Sequence, residues 1–519
     1  MKPSTEREEV CAVCKVPAKQ KCGGCKSVFY CGREHQKAHW REHSAKCKSY
    51  KLVENEKLGR HYVAIRRIEA GEVVIREDDA LVQAPQQETV PICLGCYKPL
   101  ESDTAKPCEL CGWPLCASCT SHGAECDFTK RHRDTKVTIT GFGIAHPTYK
   151  CIGVVRALAL RETNPEAYER FTKLASGELE EPREIARFIK RFFNKLHDFS
   201  EDEIARAAGI MQINGHEVPI SEPVLIAVYD ESSYVEHSCR ANCSKSFTSS
   251  GGIVIRAAME IEKGEHIMIC YTDPLWGTAN RRHHLLRTKF FECTCPRCSD
   301  PAEFGSMFNA IECSKSDCSG CMLPKSFTVQ EIPDYRCNKC DNSRSSNSVD
   351  EMLEQIGKEM ASMRKNDAGA CRSFARKHAS KLHDNHYYMT DVKLALAQMI
   401  GQQTGGLPAL DNETISEKIL LCKKLDDLLK TIVPAENRVR GLVLFEMHAA
   451  VAEFARRQDR EQLYNILQES KRLLNEAYQL LKYEPELLPE GIIAKTAKKN
   501  LREMDMILKQ LCQNAVAPL

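Results

Sequence analysis

Residues 233–243 read SYVEHSCRANC. Histidine, serine and cysteine in succession can form a metal loop, a nucleophilic Cys/His pair, or one wall of a site completed elsewhere in the chain. The remaining cysteines decide between these. The chain has 519 residues, of which 28 are cysteine, within an otherwise ordinary composition (42% hydrophobic, net charge +2). That length predicts two to four domains. The small net charge supplies no global field toward nucleic acid or membrane. The N-terminal MKPSTEREEV lacks the apolar core of a signal peptide. No run approaches the ~18 apolar residues of a membrane span. The expectation is a soluble intracellular protein without a membrane partner, in the cytoplasm, the nucleus or both.

In a reducing compartment these cysteines are not read as disulfides. Most sit in C-x-C or C-x2-C pairs, a spacing that lets two thiolates take two corners of one zinc tetrahedron. Cys151, Cys270, Cys371, Cys422 and Cys512 lie outside the clusters and read as small buried hydrophobes. The first cluster is Cys11, Cys14, Cys22, Cys25, Cys31, His35, His43 and Cys47, ligands enough for two closed sites. So short a segment folds on metal-binding energy. It is also basic, with 12 Lys/Arg against 5 Asp/Glu through Lys51, which permits weak DNA contact. His39 reads as an ordinary helix-face residue. The second cluster is Cys93, Cys96, Cys108, Cys111, Cys116, Cys119, His122 and Cys126. A third set, Cys313, Cys318, Cys337 and Cys340, could hold one ion, with Cys321 as a rival ligand. The fourth, Cys293, Cys295 and Cys298, supplies three thiolates where a closed structural site requires four. Cys239 is the candidate for the missing one, which returns the argument to the opening stretch.

Between the clusters, HYVAIRRI, EAGE and VVIREDDALV read as strands joined by a turn. Residues 150–212 read as helices, and 224–271 as strands again. SRSSNS at 343–348 reads as a polar linker. Beyond it, segments such as EKILLCKKLDDLLKTIV repeat apolar residues every three or four positions, the pattern of stacked helical hairpins.

The two halves together resemble the SET domain of protein-lysine methyltransferases. That family carries N-H-S-C-x-P-N near its cofactor and C-x-C-x2-C after the domain; this chain has EHSCRAN at 236–242 and CTCPRC at 293–298. A G-x-G turn before a strand is matched by LGRHYVAI from Leu58, and the terminal strand motif by GEHIMICY ending at Tyr271. The first cluster resembles a MYND zinc finger, and the order of parts is similar to the SET-and-MYND (SMYD) family, most of all its arthropod SmydA-type branch. The resemblance implies a multidomain α+β protein. Its expected parts are a zinc-bound MYND finger (1–50), a β-rich SET domain in two parts (51–90 and 213–273), a MYND-like cysteine-rich insertion (91–130), a helical insertion (131–212), a zinc-bound post-SET region (274–342) and an all-α, TPR-like C-terminal domain (349–519).

The resemblance further implies interleaved zinc pairs. Cys11, Cys14, Cys31 and His35 would share one ion, and Cys22, Cys25, His43 and Cys47 another. In the insertion the groups would be Cys93, Cys96, Cys116 and Cys119, then Cys108, Cys111, His122 and Cys126. It implies two cofactors, S-adenosyl-L-methionine and several Zn2+ ions. Tyr271 would be catalytic. Leu58, Gly59, Arg60, Asn214, Ser233, Val235, Glu236, His237, Tyr271 and Phe291 would face S-adenosylmethionine. Its partners would be histone or non-histone proteins bearing a target lysine, and peptides bound by the MYND finger; the chain would act as a monomer. Methyl transfer requires no nucleophilic side chain, and a zinc-bound Cys239 argues against a cysteine protease.

His61 stands where the motif has its second glycine, bringing a Cβ and an imidazole. Glu236 replaces an asparagine, leaving an acceptor where an amide both donates and accepts. Ala241 replaces proline. Two functions therefore stay open: a lysine methyltransferase, or a SET-fold adaptor or transcriptional regulator that recruits partners with little or no turnover.

Overall fold

In the computed structural model the chain forms two compact units. One comprises Met1–Glu236, Lys245–Ala257 and Ile261–Ile267; the other comprises His237–Ser244, Ala258–Glu260 and Met268–Leu519. The structure describes residues 10–23, 28–56, 58–177 and 180–516. Cys25, expected as a ligand, lies outside the described residues.

The first unit begins with a short hairpin, Gln20–Lys21 against Phe29–Tyr30, and the helix Arg33–Cys47. His35, His39, His43 and Cys47 fall four residues apart, on one helix face. His39 does more than sit on that face: it lies 3.0 Å from the buried Tyr30 hydroxyl and stacks on His43. Strands Tyr50–Asn55 and Gly59–Ala64 then pair antiparallel over their full length. Their turn is closed by the Leu58 N–H donating to Asn55 Oδ1 (2.8 Å), and Gly59 takes the left-handed φ of +63° that the turn requires.

The stretch VVIREDDALV forms two strands rather than one. Val73–Glu77 pairs with Ile253–Ala257, whereas Val82–Pro85 joins a different sheet beside Leu225–Val228. The break falls at Asp78 and Asp79, a residue type disfavoured in strands. The Asp78 carboxylate is taken by Arg76 and Lys21, which with burial taken into account still hold its pKa below the usual value. Ile253–Ala257 is buried at every position, as expected of a strand covered on both faces.

Helices Ile152–Thr163, Pro165–Thr172, Glu180–Phe192 and Glu201–Asn214 follow the cysteine-rich insertion. The first is apolar nearly all round and buried from Ile152 to Ala159, the mark of a central helix. The last starts at a complete capping box, Ser200 with Glu203.

The second unit carries helix Thr278–Lys289 and a four-stranded sheet of very short strands, Ile311–Glu312, Cys321–Leu323, Tyr335–Cys337 and Ser343–Arg344. Seven helices follow, from Ser346–Ser362 to Pro489–Val516. SRSSNS is therefore not a linker. It supplies the last strand and then the helix cap, where the Ser345 side chain accepts the Ser348 N–H. Serines read as flexible in composition, but serine is also a favoured N-cap. One helical core gathers Leu425, Leu429, Ile432, Leu444, Leu473 and Ala477. Among the described residues, no helix is long and apolar enough to cross a membrane.

Candidate functional site

Four sulfurs around one zinc ion at 2.3 Å stand about 3.8 Å apart along each tetrahedral edge. Cys239 Sγ lies 3.9 Å from Cys293 Sγ and 3.5 Å from Cys298 Sγ, and with Cys295 these atoms form one ligand set. The thiol at 239 thus meets the trio more than fifty residues away. The same edge recurs elsewhere: Cys14–Cys31 at 3.6 Å, Cys96–Cys116 at 3.7 Å, Cys108–Cys126 at 3.7 Å, Cys313–Cys340 at 3.7 Å and Cys318–Cys337 at 3.6 Å. Further sets of four are Cys11, Cys14, Cys31 and His35; Cys93, Cys96, Cys116 and Cys119; Cys108, Cys111, His122 and Cys126; and Cys313, Cys318, Cys337 and Cys340. Cys22 and Cys47 approach to 3.4 Å, with His43 buried nearby on the same helix. Cys321 is not in the fourth of these sets; its sulfur instead accepts from Asn338 Nδ2. These clusters have the donor type, number and spacing of zinc sites.

Two of them are backed by buried ion pairs that carry no sequence motif. His122 turns Nε2 toward Cys111 Sγ (3.1 Å) and Nδ1 toward Glu125 Oε1 (2.7 Å). Glu125 is fully buried and accepts two bonds from Arg156, which also donates to the Gln83 carbonyl in strand Val82–Pro85 and to Tyr97 Oη. Burial alone would raise the Glu125 carboxyl, but Arg156 and His122 outweigh it and hold the group down to about 2. In the second unit, Arg281, Arg297 and Glu303 have no exposed side-chain surface and pair with one another beside the Cys239 set. Arg297 also donates to the Cys239 carbonyl (3.1 Å). A tetrathiolate zinc site carries two net negative charges, so the excess cation of this trio is balanced where it sits.

Tyr271 is in the second unit and follows the short strand Met268–Ile269. Asn242 fixes the start of that strand by accepting the Met268 N–H at Oδ1 (2.9 Å). His237 fixes its end, where the Tyr271 N–H donates to His237 Nδ1 (3.0 Å). The His237 ring lies 5.2 Å from the Tyr271 ring and 5.6 Å from Phe291. Tyr271 and Phe291 both pack on the cluster of Cys239, Leu285, Cys293 and Cys298.

In the first unit, the space in front of Gly59 is open: no atom lies within 4 Å of where a Cβ would stand. Most of the side chains expected from sequence to face a cofactor are engaged within the fold. Leu58 is exposed; Arg60 lies over the Tyr234 ring and donates to the Lys173 carbonyl. Asn214 spends its amide hydrogens on the carbonyls of Ala175 and Ile210. Ser233 Oγ donates to the Tyr229 carbonyl, and Val235 is buried. Buried Glu77 holds the preceding loop by accepting from the N–H groups of Asp230, Glu231 and Ser232 and from Ser232 Oγ. Burial raises the Glu77 carboxyl, and these four bonds oppose the rise.

Two of the departures in the motifs, Glu236 and His61, meet at His266. Glu236 Oε2 lies 2.6 Å from His266 Nδ1, and the His266 ring stacks on His61 at 4.7 Å. His266 was not singled out from sequence. Its position two residues past Gly264, in an isolated bridge to Val63, carries no motif of its own.

The model for the MYND finger family matches residues 11–47, and that for the SET domain matches residues 59–272. The chain therefore carries a MYND finger and a SET domain, the pair of domains of the SET-and-MYND (SMYD) family that its sequence resembles. It is similar to the SET domain-containing protein SmydA-8, isoform A, of Drosophila melanogaster, at 29% identity over 296 residues. That match covers 55% of this chain and 63% of the fly protein, so less than two thirds of the relative is spanned. Histone-lysine N-methyltransferase ASHR1 of Arabidopsis thaliana matches at 22% over 68% of this chain and 59% of its own length. Histone-lysine N-methyltransferase SMYD3 of Mus musculus matches at 36% over 91 residues, 18% of this chain and 21% of its own.

Proposed function

We propose that the protein is an S-adenosylmethionine-dependent protein-lysine N-methyltransferase acting on histone or other proteins. One observation carries the reading: Tyr271 is held at the end of its strand by His237, against the Cys239 zinc set. The open face of Gly59, where backbone can approach a ligand, fits a bound cofactor. S-adenosylmethionine, when bound, supplies an electrophilic methyl group. The chain's part is positioning, which is worth up to about 7–11 kcal/mol in a well-aligned reaction. In this reading the Tyr271 hydroxyl orients the neutral lysine amine, while Phe291 and His237 exclude water beside it. The relatives named as histone-lysine methyltransferases support the class of substrate.

A second reading, a SET-fold adaptor with little turnover, is favoured by one observation. Glu236 is engaged by His266, and it offers no amide hydrogen where the family motif has an asparagine. In either reading the N-terminal finger recruits peptide partners.

Calorimetry with S-adenosylmethionine and radiolabelled methyl transfer to core histones separate the two. The methyltransferase binds the cofactor, labels lysine, and loses about 100-fold or more of its rate in Tyr271→Phe. Absence of both binding and thermal stabilisation at saturating cofactor would leave the adaptor.

A further inference from the structure

The tautomer of His237 is assigned by one of its hydrogen bonds. The Tyr271 N–H can only donate, so His237 Nδ1 must be the bare, accepting nitrogen. The ring proton then sits on Nε2, which lies 3.3 Å from Cys239 Sγ. Nε2–H therefore donates to a zinc-bound thiolate, and Nδ1 receives the backbone of Tyr271. The ring is buried, at 8% exposure, and is packed by Tyr271 and Phe291. A donor that touches a coordinating sulfur in this way sets the charge and orientation of the metal ligand.

We propose that His237 is a positioning residue that ties the Cys239–Cys293–Cys295–Cys298 zinc ion to the backbone of Tyr271. The ion thereby sets the place of the tyrosine as well as stapling the chain. The two ring nitrogens do separate jobs, so two substitutions take them apart. In His237→Asn, a side-chain oxygen can stand near the place of Nδ1 and accept the Tyr271 N–H, but nothing reaches the thiolate. In His237→Gln, the longer side chain can bring an amide donor to the thiolate, but leaves the Nδ1 place without its acceptor. The consequence for turnover rests on the methyltransferase reading above; the wiring itself does not.

The test uses the full-length, zinc-loaded chain. Zinc release to a colorimetric chelator is followed over time, with Cys295→Ser marking the phase that belongs to this ion. Exchange of the Tyr271 amide is read by hydrogen–deuterium mass spectrometry. His237→Asn should release that ion about 10- to 100-fold faster while keeping Tyr271 protected. His237→Gln should keep the ion near its wild-type release rate, exchange the Tyr271 amide about tenfold faster, and lower kcat with little change in KM. If both variants release the ion at the wild-type rate, or both leave Tyr271 equally protected, the tie does not exist. If release and exchange divide as expected but the wild-type chain transfers no methyl group, the tie stands and the methyltransferase reading falls.

Discussion

Residues 93–126 and residues 412–516 solve the same problem by opposite means. The first stretch has two-residue strands, Lys106–Pro107 and Pro114–Leu115, and buries little beyond its ligands, Trp113 and a few aliphatic side chains. Its order comes from two metal sets and the Glu125–Arg156 pair. The second is four long helices whose leucines, valines and alanines form continuous cores. There a buried charge is tolerated because it is answered: Lys418, 1% exposed, donates to the Ile400 carbonyl at 2.6 Å and pairs with Glu446. Metal ligation stabilises a short segment locally, whereas apolar burial needs a neighbour for every helix.

The largest test of that contrast is chelation. Stripping the metal should cost the cysteine-rich modules most of their order, because a structural zinc ion contributes about 10–16 kcal/mol in finger peptides. Hydrogen exchange should rise steeply across 93–126 and 293–340 and little across 412–516. Equal loss in both regions would abolish the distinction.

Glu125→Ala comes next, since it strands Arg156 as an unpaired buried cation at a cost of about 3–5 kcal/mol. Thermal unfolding should report that loss, together with faster release of the ion held by His122. Leu429→Ala, at a position with no exposure, should cost about 2–5 kcal/mol through the cavity it leaves. Zinc content, measured by mass spectrometry, should stay unchanged.

Per group and per pH unit, the smallest effect is that of protonation. Burial pushes His386 down to about 3 and His448 to about 4, from 6.5. Both folded values lie below the unfolded one, so their contribution is fully present above pH 6.5. It falls away as pH drops toward 4 and 3, by about 1.4 kcal/mol per group per pH unit. Helix melting should soften from pH 6.5 to 5, and His448→Gln should flatten its share of that slope. A pH-independent helix signal over that range would show that these histidines are not held neutral.

Much of the site was legible because metal chemistry leaves short-range marks. C-x2-C pairs announce themselves, and three clustered thiolates demand a fourth. His266, Arg281, Arg297 and Glu303 leave none. They act through contacts between residues that no local spacing relates. SRSSNS misled for the related reason that composition does not say whether a serine faces water or caps a helix.

By itself the sequence determined the zinc chemistry, the helical C-terminal region and the order of parts, since ligand type and apolar period are properties of neighbours along the chain. Only the tertiary structure decided that Cys239 closes the distant trio, that His237 bridges sulfur and the tyrosine backbone, and that Glu236 and His61 converge on His266. Those are meetings in space, where hydrogen-bond direction and burial assign each group its role.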